Sequence, residues 1–337
     1  MAVNYADTVS MFFQFPLATN TIGMLPKPWR YKKNTNIYKA YWFVQQQNSF
    51  LIFYPDIYGR IRLFMTYSVP KVLTGSNAFN TANFDEYTFY QLINKDLDVF
   101  PWNAPPFNTI KRPTSFTEWE TSRMDLFFMH SIPVGERADY MDSYELLTLP
   151  RYRSVKYKNT YYINSALRPD KKANKVLRFY PKVKEMYDTL DSTYPAAVHR
   201  VHEQYLQMNE SMVDYIRFEG MLRRSILSYE CKNHNISTTV HDVFNQSFQE
   251  ELLFKLIDSV GLNRRILSRR EFVQQAKLIF KTDKTYQNAL LYARCVRNRQ
   301  SCTLSRNQIQ LIKRTLKSNN LHFVTHRYIN LLPVNFK

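Results

Sequence analysis

Glycine is scarce in this chain, with six in 337 residues. That argues against the Gly-rich loops that cradle nucleotide phosphates. Cysteine is scarcer still: Cys231, Cys295 and Cys302. The number is odd and no CxxC pair occurs, which argues against a disulfide framework and a structural zinc site and fits a reducing compartment. No apolar run approaches the ~18 residues that a membrane span needs. The N-terminal stretch MAVNYADTVSMFFQFPLATN lacks the basic region of a signal peptide. Internal repeats and low-complexity tracts are missing as well. The expectation is a soluble, cytoplasmic protein with no membrane partner.

Negative charge is also in short supply. The chain has 28 Asp+Glu against 46 Lys+Arg, a formal net charge of +18. The imbalance is concentrated: residues 231–337 hold 18 Lys+Arg against 6 Asp+Glu. Such an excess points to nucleic acid or another anionic surface as partner; a merely solvated basic face is the bland alternative. What is plentiful is core material, with 45% hydrophobic and 15% aromatic residues, and the length suffices for two domains.

The first half reads mostly as strands. SFLIFY (49–54) and RIRLFMTYS (60–68) flank a turn ending in Gly59 and predict a hairpin. Residues 85–100 have helical spacing, 100–115 form a Pro-rich loop, and 118–132 make the best central strand. Residues 135–147 are helical, and 159–165 and 175–181 are a second strand pair. Residues 182–212 are helical with a break near Pro195, and 214–224 return to a strand. After a boundary near 225–245, helices are expected over 246–261, with Gly261 as C-cap, and over 268–280, 284–299 and 305–320. The last two have basic faces and a brief connection, the arrangement of a helix-turn-helix.

Three strands each carry a polar residue that a plain core strand does not need. Alternation places Asp125 with Arg123 and Phe127, and Glu219 with Arg217. Tyr180, sharing a face with Arg178, stands where Pro181 ends its strand and favours the first turn of a helix. Lys182 and Glu185 follow. The plain alternative is that Asp125–Arg123 and Glu219–Arg217 are polar faces of a half-solvated sheet and that Tyr180 packs at a sheet edge with its hydroxyl in water. The chemistry that unites them is phosphoryl transfer from DNA. A tyrosine oxygen attacks the scissile phosphate, carboxylates hold a hard cation such as Mg²⁺ or Mn²⁺, and a nearby cation steadies the developing charge.

These residues sit in segments that resemble a known family. Ser68-Val69-Pro70-Lys71-Val72-Leu73-Thr74-Gly75-Ser76-Asn77 is similar to the lysine-leucine-glycine-asparagine segment of the filamentous-phage replication initiators. Ser122-Arg123-Met124-Asp125 resembles their Ser-Arg-Ile-Asp strand. Tyr180-Pro181-Lys182-Val183-Lys184-Glu185 resembles their Tyr-x-Lys-x-x-Glu segment, shared with rolling-circle plasmid initiators. Arg217-Phe218-Glu219, with Arg223-Arg224, resembles their Arg-Phe-Glu strand and its basic continuation. The set lies in the family's order over roughly residues 60–335. The chain departs from related nickases in having no His-hydrophobe-His motif; His130 is expected to pack or hydrogen-bond.

The resemblance implies an α+β fold: a central, mainly antiparallel sheet of five strands flanked by helices, of the relaxase-like kind. A catalytic domain would cover 1–230 and a smaller basic helical DNA-binding domain 240–337. It implies a nickase and strand transferase that starts rolling-circle replication through a 5′-phosphotyrosyl intermediate. Tyr180 would be the nucleophile, aided by Lys182. Asp125, Glu219 and Glu185 would hold Mg²⁺ or Mn²⁺. Lys71, Asn77, Arg178, Arg217, Arg223 and Arg224 would contact DNA, with Lys71 and Asn77 in a loop near the nick. Partners would be origin DNA, double- and single-stranded, the host helicase and polymerase, and a second copy of the chain in a homodimer. The competing reading is a DNA-binding repressor or copy-control protein that uses the C-terminal helices and needs none of the Tyr180, Asp125, Glu219 set.

Overall fold

The computed structural model describes residues 3–16, 30–34, 37–44, 49–55, 60–74, 81–82, 84–100, 102–103, 105, 107–133, 135–145, 152–165, 173–182, 213–262, 265–297 and 301–325. Strands β1 (Val3–Asn4), β2 (Ala6–Pro16), β3 (Arg30–Asn34), β4 (Ile37–Val44), β5 (Ser49–Pro55) and β6 (Arg60–Ser68) come first. Helix α1 (Val69–Thr74), β7 (Thr81–Ala82) and α2 (Glu86–Asn94) follow, then β8 (Glu120–Pro133) and α3 (Arg137–Glu145). Strands β9 (Arg153–Tyr157), β10 (Thr160–Asn164), β11 (Lys175–Pro181) and β12 (Val213–Arg223) complete the main sheet. The remainder is α4 (Arg224–Asn233), α5 (Val240–Val243), α6 (Gln246–Val260), β13 (Arg265–Ser268), α7 (Arg269–Ile279), α8 (Asp283–Arg297), α9 (Arg306–Ser318) and β14 (Leu321–Thr325).

The fold is α+β. Among the described residues the main sheet has ten strands in the order β3-β4-β5-β6-β2-β8-β12-β11-β10-β9, twice the five that the family resemblance implied. The added length comes from the N-terminal strands, where β3 to β6 run as consecutive antiparallel neighbours and β6 pairs antiparallel with β2. The expected hairpin of β5 and β6 is present. No described helix is long and apolar enough to cross a membrane.

The chain packs as two compact units, neither continuous in sequence. The first comprises Met1–Phe128, Lys172–Val176 and Glu219–Leu253. Its core follows from period-2 patterning: Leu63, Met65 and Tyr67 of β6 are buried and alternate with half-buried neighbours. Helix α2 starts because the Asp85 carboxylate accepts from the backbone N–H of Thr88 (3.0 Å) and Tyr87 (3.3 Å), satisfying donors that a helix start leaves open. It buries Phe89, Tyr90 and Ile93. Phe89 meets Tyr67 edge-on at 6.4 Å, and Phe116 meets Tyr90 at 4.9 Å and Phe244 at 5.5 Å. Far-apart segments are pinned by backbone: Thr121 N–H donates to Thr238 O and Val240 N–H to Trp119 O, each at 2.8 Å, and Tyr5 N–H donates to the buried Gln249 Oε1 at 2.9 Å.

The second unit comprises Met129–Lys171, Leu177–Phe218 and Phe254–Lys337. Phe179 of β11 stacks on Tyr144 of α3 (4.7 Å) and meets Phe218 of β12 (5.1 Å). Nearer the C-terminus, Phe272, Ala276, Phe280, Ala289, Tyr292, Ala293, Ile312, Leu316 and Leu321 form a further core. It joins α7, α8 and α9 to the parallel pair β13–β14, a pair the sequence reading did not anticipate. Gly261 closes α6 with φ of +76°, the left-handed conformation a C-cap needs, and its N–H donates to Ile257 O at 3.0 Å.

His130, in this second unit, packs and hydrogen-bonds as expected: Nδ1 lies 3.0 Å from the Tyr144 hydroxyl and the ring meets Tyr140 edge-on at 5.3 Å. Burial pushes its imidazole down to about 4 from 6.5. Below pH 6.5 the unfolded chain takes up a proton that the folded chain refuses until about pH 4. The contribution is therefore full above pH 6.5 and is lost as pH falls toward 4, up to about 3 kcal/mol. Denaturant unfolding of the wild type and His130→Gln across this window is expected to show the steeper acid loss in the wild type. Parallel curves would contradict the assignment.

Candidate functional site

Asp125 lies on β8 within the first unit and has no exposed surface. The solvated-face alternative for this strand is thereby excluded, since residues 124–128 are buried on both faces. Its carboxylate is gripped by Arg123: Nε donates to Oδ1 at 2.7 Å and Nη2 donates to Oδ2. Such a two-pronged pair offsets the cost of taking a carboxylate out of water. Arg123 itself is one-third exposed, so the pair leads from the sheet interior toward solvent.

Glu219 lies on β12, the strand next to β8, also within the first unit, and is 3% exposed. A third buried carboxylate, Asp7, sits on β2, the neighbour of β8 on its other side. The sequence reading missed it. The register runs Ala6↔Leu126 and then Thr8↔Asp125, so Asp7 is the extra residue of a β-bulge beside Asp125. Bulges re-aim side chains and are frequent beside functional sites. Ala6 and Asp7 are buried in succession, a break in alternation that only the structure reveals. The Thr8 hydroxyl donates to Asp7 Oδ2 at 3.1 Å.

The acid set is one of hard oxygen donors, suited to Mg²⁺ or Mn²⁺ rather than to zinc or copper. Among the described residues no group of three Asp, Glu, His or Cys forms a metal cage. Glu185, expected as a third ligand, lies outside the described residues.

Tyr180 belongs to the second unit and ends β11 as expected: Pro181 is the last strand residue and Lys182 begins helical backbone. Alternation sends Phe179 into the Tyr144–Phe218 cluster and Tyr180 to the other face. The ring is less accessible than a rim position implied, at 7% exposure, because Pro181 and Lys182 are buried beside it. Lys182 is only 1% exposed, and its Nζ lies 5.8 Å from the Tyr180 ring centroid.

The residues expected to touch DNA fall in different settings. Lys71 is half-buried in α1, a helix rather than the expected loop; Thr74 closes that helix by donating to Pro70 O at 2.8 Å. Asn77 lies outside the described residues. Arg178 and Arg223 are half-buried, and the Arg223 N–H donates to Asn174 O at 2.9 Å. Arg217 is fully buried, so its guanidinium has no surface on which to receive a phosphate. Arg224 is exposed and lies over the Phe12 ring (4.5 Å), 3.4 Å from Glu120.

The C-terminal part of the second unit offers a cleaner cationic surface. Ile312 and Leu316 of α9 face the core, whereas Arg306, Lys313, Arg314 and Lys317 are exposed on the opposite side. The helix contains no acidic residue and starts with a capping box between Ser305 and Gln308. Residues 298–305 separate α8 from α9, a longer link than the 3–4 residues usual in a helix-turn-helix.

Removing the fork on Asp125 should be costly. Arg123→Ala is expected to lose about 2–3 kcal/mol of unfolding free energy, because it strips a buried carboxylate of its cation. Arg123→Ala/Asp125→Ala is expected to lose less than the two single changes added together. Additive losses in a double-mutant cycle would show that the pair is not coupled.

Comparison of the chain with models of known families, with curated proteins and with solved structures finds no match to any of them.

Proposed function

We propose that this chain is a metal-dependent DNA nickase and strand transferase that initiates rolling-circle replication, similar to the filamentous-phage and plasmid initiators. The observation that carries the reading is the burial of Asp125 and Glu219 on neighbouring strands. Buried ionisable groups are expensive, and their retention inside a sheet favours a functional role. The ordered family-like segments at Asp125, Tyr180 and Glu219 add to it.

Tyr180 is the nucleophile. Its Oη gives up its proton to water and bonds to the scissile phosphorus, the bond to the 3′ oxygen breaks, and the 3′ oxygen takes a proton from water, giving a 5′-phosphotyrosyl adduct and a free 3′-OH for a host polymerase. The adduct keeps the bond energy of the cleaved phosphodiester, so the reverse attack rejoins the strand. Asp125 and Glu219, with Glu185, hold the cation; bound Mg²⁺ or Mn²⁺ would supply Lewis acidity to a non-bridging phosphate oxygen. The basic C-terminal region holds duplex origin DNA, and α9 is its most cationic exposed helix.

Incubation of the full-length chain with supercoiled circular DNA carrying its origin and Mg²⁺ is expected to give nicked circles with protein attached. Tyr180→Phe, which removes one oxygen, is expected to abolish the adduct while leaving duplex affinity within about twofold, since phosphate contacts dominate binding. An adduct formed by Tyr180→Phe at the wild-type rate assigns the nucleophile elsewhere. Binding without any adduct from the wild type leaves the repressor reading in its place.

Lys313→Gln/Arg314→Gln/Lys317→Gln tests the C-terminal contribution. Each phosphate contact adds about 0.9 to the slope of log affinity against log salt. The triple change is thus expected to flatten the slope for duplex binding by up to about 2.7 units. An unchanged slope means that α9 does not face DNA.

A further inference from the structure

The β9–β10 hairpin, of which the sequence reading anticipated only β10, is more exposed than the other strands of the sheet whose burial is described. All five residues of β9 are exposed, on both faces of the strand. It is the last strand in the sheet order, so among the described strands its outer edge has no neighbour. Its partner β10 buries only Tyr161 and Ile163. The strands join through a two-residue turn, Lys158–Asn159, with Tyr157 paired to Thr160 and Lys158 at φ +50°.

The pairing fixes what each face carries. Arg153, Val155 and Tyr157 share a face with Asn164, Tyr162 and Thr160. Tyr157 is 63% exposed, and the Lys158 ammonium lies 5.8 Å from its ring centroid. Tyr162, diagonal to it across the ladder, is half-buried. Residues 153–160 contain Arg153, Lys156 and Lys158 and no acid.

Edge strands often carry lysine to discourage pairing with another chain. That explains Lys156 and Lys158 but not a large aromatic ring left in water beside them. Exposed rings set among cations are the device by which proteins hold unpaired nucleic acid: bases stack on the rings, and phosphates meet the ammonium and guanidinium groups. A duplex offers phosphates but keeps its bases stacked on one another.

We propose that the β9–β10 hairpin binds single-stranded DNA, with bases on Tyr157 and Tyr162 and phosphates on Arg153 of the same face and Lys158 of the turn. The inference rests on the nicking reading insofar as that reading makes DNA the ligand and unwound origin the source of single strand.

The test is fluorescence anisotropy of the full-length chain with labelled oligothymidine and, in parallel, with a labelled duplex of equal length. Tyr157→Ala is expected to weaken single-strand binding about tenfold, the order found when one stacked base is lost. Duplex binding should be unchanged, and Tyr157→Phe, which keeps the ring, should retain wild-type affinity for both. Single-strand affinity unaffected by Tyr157→Ala, or an equal loss for both DNA forms, overturns the hairpin assignment. A wild-type chain that forms the Tyr180 adduct yet loses nothing in Tyr157→Ala refutes the hairpin alone. A wild-type chain that binds neither DNA form refutes both proposals.

Discussion

Burying charge inside a sheet is the constraint on which this account depends. Asp7, Asp125 and Glu219 are all sequestered on β2, β8 and β12, three consecutive strands of the main sheet. A carboxylate so placed must be compensated or it protonates. Arg123 provides that compensation for Asp125 through a two-pronged contact, and the Thr8 hydroxyl contributes to Asp7. The surrounding fold is correspondingly firm: backbone hydrogen bonds tie Thr121 and Trp119 to the segment 238–240. A sheet serving only as scaffold would gain stability from apolar residues at these positions, since well-packed hydrophobic replacements of buried ion pairs are often neutral or stabilising. Their presence argues that the charges serve a function.

In the second unit the same theme takes another form. Lys182 is a buried cation beside a buried phenol, and Phe179 anchors the strand that presents Tyr180. Exposed cations lie elsewhere, among them those of α9 and of the β9–β10 hairpin. The division is physically sensible. Chemistry on phosphorus gains from dry, fixed charges, whereas holding a polyanion gains from wet cations that release counterions.

Much of this was legible in the sequence because the patterns are local. Periodicity placed β5, β6, β8, α2, α6 and α8 to within a few residues, and Pro181 marked the end of β11. Gly261 declared its C-cap. The elements that escaped depend on distant partners or lack a burial pattern. β9 has no alternation because both its faces are exposed, and β13 and β14 pair across more than fifty residues of chain. The candidate site was legible in its residue types but not in its burial. Arg217 and Glu219 read as a polar face yet are enclosed, and enclosure depends on packing that alternation along one strand does not encode. Asp7 was invisible because a bulge, not the local pattern, brings it beside Asp125.

The nicking reading stands on the claim that the buried carboxylates serve a divalent cation. Mn²⁺ titration of the full-length chain, followed by electron paramagnetic resonance in the presence of an origin oligonucleotide, addresses it directly. The account predicts a saturable Mn²⁺ site that Mg²⁺ displaces and that both Asp125→Asn and Glu219→Gln remove without unfolding the chain. A folded Asp125→Asn/Glu219→Gln chain that binds Mn²⁺ as the wild type does would contradict it.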